Sequence, residues 1–258
     1  MAKSLLQPLW SYLVHRWGSV ISYTLFPAGV GWVVYTGVGI YFALKDLGPW
    51  RSESTRIHKD VWPTKKEVFR VGGIQTAIYA LLNVLMWHVY PHHVEVPTEA
   101  PTVWEFLRDL CISLLVGDFL VYWEHRIHHQ LRFLYTNVHY VHHRFKADLF
   151  AWAAGWVHPF ELTVFAFCMV VYPWLLCPVH PLTLWVYISI FVCLLLEEHS
   201  GHDVWWSPYY WVPVVFGGAV PHSVHHTKVT SNFGFIFAIW DKIFGTYLAP
   251  SSVHKDVE

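Results

Sequence analysis

Apolar and polar positions along this 258-residue chain fall into long blocks rather than short alternations. An uncharged stretch runs from Ser19 to Leu44, a second apolar stretch from about Val71 to Tyr90, and a third from roughly Val103 to Trp123. A hydrocarbon core about 30 Å thick takes roughly 20 helical residues, so these three blocks predict membrane spans. The third is the least apolar, because Glu105, Arg108 and Asp109 crowd its start and Asp118 lies inside it. Two shorter blocks, Phe160–Leu176 and Leu182–Leu196, are joined by Cys177-Pro178-Val179-His180-Pro181 and predict a helical hairpin that either crosses or re-enters. Residues 1–18 hold a short apolar run broken by Pro8, with no small-residue cleavage pattern; the expectation is an interfacial helix rather than a signal peptide.

The polar segments between the blocks set an orientation. Seven Lys or Arg residues lie between Lys45 and Arg70, and none between Pro91 and Thr102. Positive loops stay cytosolic, which puts 45–70 and the stretch after the third block on the cytosolic side. The predicted fold is an all-α integral membrane protein. It has about four to five membrane helices or re-entrant hairpins and a cytosolic histidine-rich helical cap. Its expected parts are an N-terminal membrane region (1–116), a histidine-bearing domain (117–250) and a polar tail (251–258).

Composition agrees with a membrane setting: 55% of residues are apolar and only 14% charged, and 16 Trp and 14 Tyr suit membrane interfaces. A net charge of −1 leaves no electrostatic footprint for nucleic acid. The four cysteines lie in or beside apolar runs without C-x2-C spacing, so neither a zinc knuckle nor a disulfide framework is expected.

Histidine is where the chemistry concentrates. Thirteen of 19 histidines fall between His125 and His226, and three clusters share the spelling H-x2-H-H: His125/His128/His129, His139/His142/His143 and His222/His225/His226. Residues three and four apart share a helix face, and neutral imidazole is the commonest metal ligand. Eight or nine such nitrogens exceed what one metal takes, which favours two metals in one cage. Asp118, Glu124, Glu161, Glu198 and Asp241 can orient imidazole N–H groups, cap helices or pair with arginines.

The order H-R-x-x-H, H-x-x-H-H and H-x-x-H-H, followed by Asn232 and Trp240-Asp241-Lys242-Ile243-Phe244-Gly245-Thr246, resembles the fatty acid hydroxylase and sterol desaturase superfamily over about Gly117 to Tyr247. Trp156-Val157-His158-Pro159-Phe160-Glu161 and Glu198-His199-Ser200-Gly201-His202-Asp203 are similar to stretches of cholesterol 25-hydroxylases and C4-methylsterol oxidases.

That resemblance implies a non-haem di-iron oxygenase of the endoplasmic reticulum membrane with its site facing the cytosol. It would use two iron ions, O2 and electrons from a separate donor, cytochrome b5 or its reductase. Carried over by motif, the ligands are His125, His129, His139, His142, His143, His222, His225 and His226, with His199 as the ninth. His128, His158 and His202 are further possible ligands, and Glu161, Glu198, Asn232 and Asp241 are supporting residues. A rigid apolar substrate suits a site lined by Trp152, Trp156, Phe160, Trp205 and Trp211. A sterol is favoured, with C4-methylsterol oxidation and sphingoid-base or fatty-acyl hydroxylation or desaturation as rivals. A metal transporter would instead place its polar residues at mid-membrane, and a zinc hydrolase would keep three ligands and a water.

Overall fold

The computed structural model describes residues 4–23, 25–89, 93–171 and 179–250. Among these the chain is helical: α1 (Gln7–Ile21), α2 (Phe26–Leu47), α3 (Lys65–Val89), α4 (Val103–Gln130), α5 (Arg132–Asn137), α6 (Pro159–Ala166), α7 (Pro181–Glu198), α8 (Pro208–Trp211), α9 (Ala219–Lys228) and α10 (Ile239–Ile243). Two 3-10 turns cover His139–Arg144 and Ala151–Gly155, and a π turn (Phe167–Val171) extends α6. No strand forms among the described residues, only the isolated bridges Arg56–His202 and Phe216–Phe237.

Local chemistry sets the helix starts. Proline lacks the N–H that a helix interior needs but suits its first turn, and α1, α2, α6, α7 and α8 all carry proline at their first or second position. Pro27 therefore opens α2 afresh, so the block expected as one span from Ser19 divides between α1 and α2. Thr102 and Glu105 form a reciprocal cap on α4. His158 and His180 cap α6 and α7 by accepting the N–H of the residue two positions on.

Among the described residues three helices are long and apolar enough to cross a membrane: Phe26–Leu47, Lys65–Leu85 and Pro181–Glu198; Pro159–Met169 is a shorter apolar helix. The chain is a membrane protein. The expected third span is a 28-residue helix, roughly 42 Å at 1.5 Å per residue, but it carries six Asp, Glu or Arg residues and is not in the apolar set. The tail 251–258, residues 172–176 of the expected Phe160–Leu176 block and residues 177–178 of the expected turn lie outside the described residues.

Helices α2 and α7 run parallel. Gly31 meets Ile188 low on the pair, and Asp46 meets His202 just past its top. Across α2 and α3, Trp152 fills a slot that glycine creates: a Cβ on Gly39 would stand 2.0 Å from the indole Nε1, and one on Gly72 2.3 Å from its Cε3. Trp152 is thereby a wedge locking the 151–155 turn to two spans.

The two ends of the molecule differ. At one, Gln7 meets Thr98 and Ala100, Trp10 donates to Pro97 O, and His180 reaches Glu99 O. At the other, buried Arg56 donates to Leu149 O and Ser200 O and pairs with Asp46. The Lys/Arg-rich 45–70 segment thus sits at the end that carries the histidines.

Candidate metal centre

Nine imidazoles converge from four segments. The last turns of α4 bring His125 and His129, the first 3-10 turn brings His139, His142 and His143, His199 follows α7, and α9 brings His222, His225 and His226. They form two groups, His125/His129/His139/His143/His225 and His142/His199/His222/His226, in each of which one ligand atom per residue lies within 4.8 Å of the others. In the first group Nε2 of His129 stands 2.8 Å from that of His139 and 3.0 Å from that of His143, which is 3.2 Å from that of His225. In the second, Nε2 of His199 stands 3.1 Å from that of His142 and 2.9 Å from that of His222, which is 3.0 Å from that of His226.

The other ring nitrogen decides what these contacts are. Nδ1–H of His125, His225, His226 and His199 donates to the carbonyls of Phe233, Ser231, Phe145 and Leu195 at 3.0, 2.7, 2.9 and 3.0 Å. A carbonyl only accepts, so these rings carry their proton on Nδ1 and a bare lone pair on Nε2. His139 Nδ1 and His222 Nδ1 face Glu161 Oε1 at 2.7 Å and Glu198 Oε1 at 2.9 Å. Burial, reinforced by neighbouring imidazoles, holds His142, His225 and His226 well below the usual histidine range, so they are neutral. His125 Nε2 is buried without any hydrogen-bond partner. Lone pairs aimed at one another repel unless a cation stands between them. The donor set therefore fits metal, with outer partners of the kind that metal-bound histidines carry.

The remaining expected residues are placed as follows. His128 turns from both groups to Glu124, with Nδ1 3.1 Å from Oε1. His158 is used as the α6 cap. His202 is buried between Asp46 Oδ1 and Thr55 Oγ1, each at 3.0 Å. None of the three belongs to either group. Asn232, at φ 56, bonds Pro221 O and the Leu248 backbone and so fixes the chain beside His222. Asp241 accepts from Phe233 N, Gly234 N and Thr246 Oγ1, holding the loop whose carbonyl orients His125. Asp118 does similar work through Ile236 N, Phe237 N and Trp240 Nε1.

A cavity of about 160 Å³ adjoins the imidazoles. His125, His139, His142, His199 and His222 form its metal-facing wall, and Val121, Phe165, Met169, Phe191, Leu195 and Phe235 give it an apolar side. None of the five aromatic residues expected to line the site does so. Trp152 is the inter-helix wedge, Trp156 packs on the core beside it, Phe160 is half exposed, and Trp205 and Trp211 are about 70% exposed. Sequence reading passed over Tyr35, Gln75 and Tyr79, which also line the cavity. Their signal was polarity at one face of two apolar spans. The carbonyl partners of the histidines carried no signal at all, since every residue has one.

A family model described as fatty acid hydroxylase matches residues 110–246, just over half the chain and including all nine histidines. The chain belongs to the fatty acid hydroxylase family. As a member it is an oxidoreductase, a lipid hydroxylase. Among curated relatives of the family member, cholesterol 25-hydroxylase of Mus musculus is 33% identical over 94% of this chain and 82% of its own length. Cholesterol 25-hydroxylase-like protein 1, member 2 of Danio rerio is 32% identical over 95% and 90%, and cholesterol 25-hydroxylase of Homo sapiens 31% over 93% and 90%. No solved structure matches.

Proposed function

We propose that this family member is a di-iron sterol hydroxylase of the endoplasmic reticulum membrane, with its site on the cytosolic face. The observation that carries the metal reading is the pair of imidazole groups whose bare Nε2 atoms converge at the wall of an apolar cavity. His125, His129, His139, His143 and His225 would hold one iron, and His142, His199, His222 and His226 the other. Imidazole suits iron in sites with open positions, and bound iron supplies reduction of O2 to an oxidant able to break an unactivated C–H bond.

The chain's own part is positioning and exclusion. Glu161 and the four carbonyls hold five of the nine rings by their Nδ1 protons and aim Nε2 inward, and Glu198 faces Nδ1 of a sixth, His222. The apolar wall receives the lipid and keeps water from the reacting carbon. Electrons would come from cytochrome b5 or its reductase. The sterol choice draws on the cholesterol 25-hydroxylase relatives. The cytosolic orientation draws on the Lys/Arg-rich 45–70 segment, whose Arg56 and Asp46 meet the residues just after His199.

Purified protein with a b5-type electron supply should contain about two irons per chain and take up O2 on addition of sterol. Membranes carrying it, incubated with labelled cholesterol, a 4-methylsterol and sphinganine, should oxidise cholesterol. Product from sphinganine alone would reject the sterol, and a chain without iron would reject the centre. Lys59 should be protease-accessible from outside sealed microsomes; protection would reverse the orientation.

A further inference from the structure

Apart from the wall of imidazoles with Glu124, Glu161 and Glu198, the cavity has a polar corner made by the two N-terminal spans. Tyr35 lies midway along α2, and Gln75 and Tyr79, four residues apart and so on one face, lie midway along α3; all three line the cavity. Tyr35 is 2% exposed, yet its hydroxyl has no hydrogen-bond partner. Gln75 Nε2 donates to Gly155 O at 2.5 Å, which fixes the amide and identifies Oε1 as the free acceptor. The two oxygens converge on Gly155: a methyl group there would stand 2.5 Å from Tyr35 Oη and 3.1 Å from Gln75 Oε1. A buried hydroxyl left unsatisfied is costly, and polar groups inside a membrane segment that face a cavity are functional by default.

We infer that Tyr35 and Gln75 form the subsite that reads a hydroxyl of the lipid substrate, Tyr35 donating to its oxygen and Gln75 Oε1 accepting its proton. This rests on the lipid-hydroxylase reading above and names how that site chooses its ligand. One lipid hydroxyl satisfies both groups at once, and a ligand without it leaves both unpaired in an apolar wall, which is how a site built around a hydroxyl rejects its deoxy analogue. Gly155 keeps the corner open because any side chain there meets Tyr35.

The test is equilibrium binding of tritiated lipid to detergent-solubilised full chain, in two pairs: cholesterol against the same sterol lacking its 3-hydroxyl, and sphinganine against 1-deoxysphinganine. Wild type should prefer the hydroxylated member of at least one pair by about tenfold or more, the scale of one or two well-made hydrogen bonds. Tyr35→Phe should bring that ratio within about twofold while leaving deoxy-lipid affinity and iron content unchanged. Gly155→Ala, which fills the corner, should weaken the hydroxylated lipid selectively. Equal binding of both members by wild type, no binding of either pair, or a preference that survives Tyr35→Phe overturns the assignment. Preference confined to the sphinganine pair supports the subsite and sinks the sterol. Loss of iron or turnover with the binding ratio intact counts against the di-iron reading alone.

Discussion

The five-imidazole and four-imidazole groups are built from one repeated spelling and differ in their surroundings. His125 and His129 are partly exposed, whereas every member of the four-imidazole group is buried. Sequence clusters and spatial groups do not coincide. On α9, neighbours point about 100° apart at 3.6 residues per turn; His225 joins the larger group, while His222 and His226, one turn apart, join the smaller. In the 3-10 turn His139 and His143 join the larger group and His142 the smaller, a split that the i,i+3 eclipse of such a turn does not itself produce. From α4 both contributing rings enter the larger group, and His199, which belongs to no cluster, makes up the smaller. Two of the three runs, the one on the 3-10 turn and the one on α9, therefore bridge the two groups, and the run on α4 does not.

The largest effects should come from taking one ring from each group. His143→Ala opens the five-imidazole group and His142→Ala the four-imidazole one, although the residues are adjacent. Each variant is expected to fall below about 1% of wild-type turnover, with iron dropping from about two per chain toward one, since the proposed di-iron chemistry needs both metals and each lost ring would leave one under-coordinated. Iron analysis with activity on labelled sterol checks this. Two irons and full turnover in either variant would break the two-centre arrangement.

The carboxylates sharpen the comparison at one remove. Glu161 serves the larger group through His139 and Glu198 the smaller through His222. Replacing either by Gln keeps the shape but weakens the partner that holds the ring, and loss of such partners lowers metal affinity about 10–100-fold. Each variant should weaken the iron of its own group, read by titration against a chelator. Equal loss from both groups would show that the carboxylates support the fold rather than one centre.

How much was visible beforehand follows from what kind of information each feature carries. The nine histidines were legible because side-chain identity and spacing are written in the chain, and the fold gathers those nine. The helical character and membrane setting were legible from apolar blocks, as α2, α3 and α7 show. The break before α2 was missed although Pro27 marks it. The cavity lining was misread because size and aromaticity say nothing of direction: Trp205 and Trp211 face outward, while Trp152 is committed between Gly39 and Gly72. The ring-orienting carbonyls of Phe233, Ser231, Phe145 and Leu195 depend on tertiary placement alone.

Exposure gives a third way to separate the groups. With His125 and His129 partly exposed, a hydrophilic chelator should reach the larger group first. Iron release from wild type should be biphasic, with the fast phase lost in His143→Ala and retained in His142→Ala. A single phase in wild type would make the two sites equally accessible.

The smallest effect is expected at His128, which has the same place in its H-x2-H-H cluster as His142 and His225 have in theirs. Geometry separates it from them: its Nδ1 lies 3.1 Å from Glu124 Oε1, and it belongs to neither imidazole group. His128→Ala should therefore leave iron content within about 10% of wild type, where His142→Ala and His225→Ala lose a metal. Its cost should appear as stability, because the buried Glu124 carboxylate loses a partner, a penalty of about 1–3 kcal/mol. Glu124→Gln, which removes the charge, should restore part of that loss in a double variant. Thermal unfolding in detergent with parallel iron analysis checks both halves. Loss of a metal from His128→Ala would mean that spelling, not the turn of the helix, decides which histidines bind.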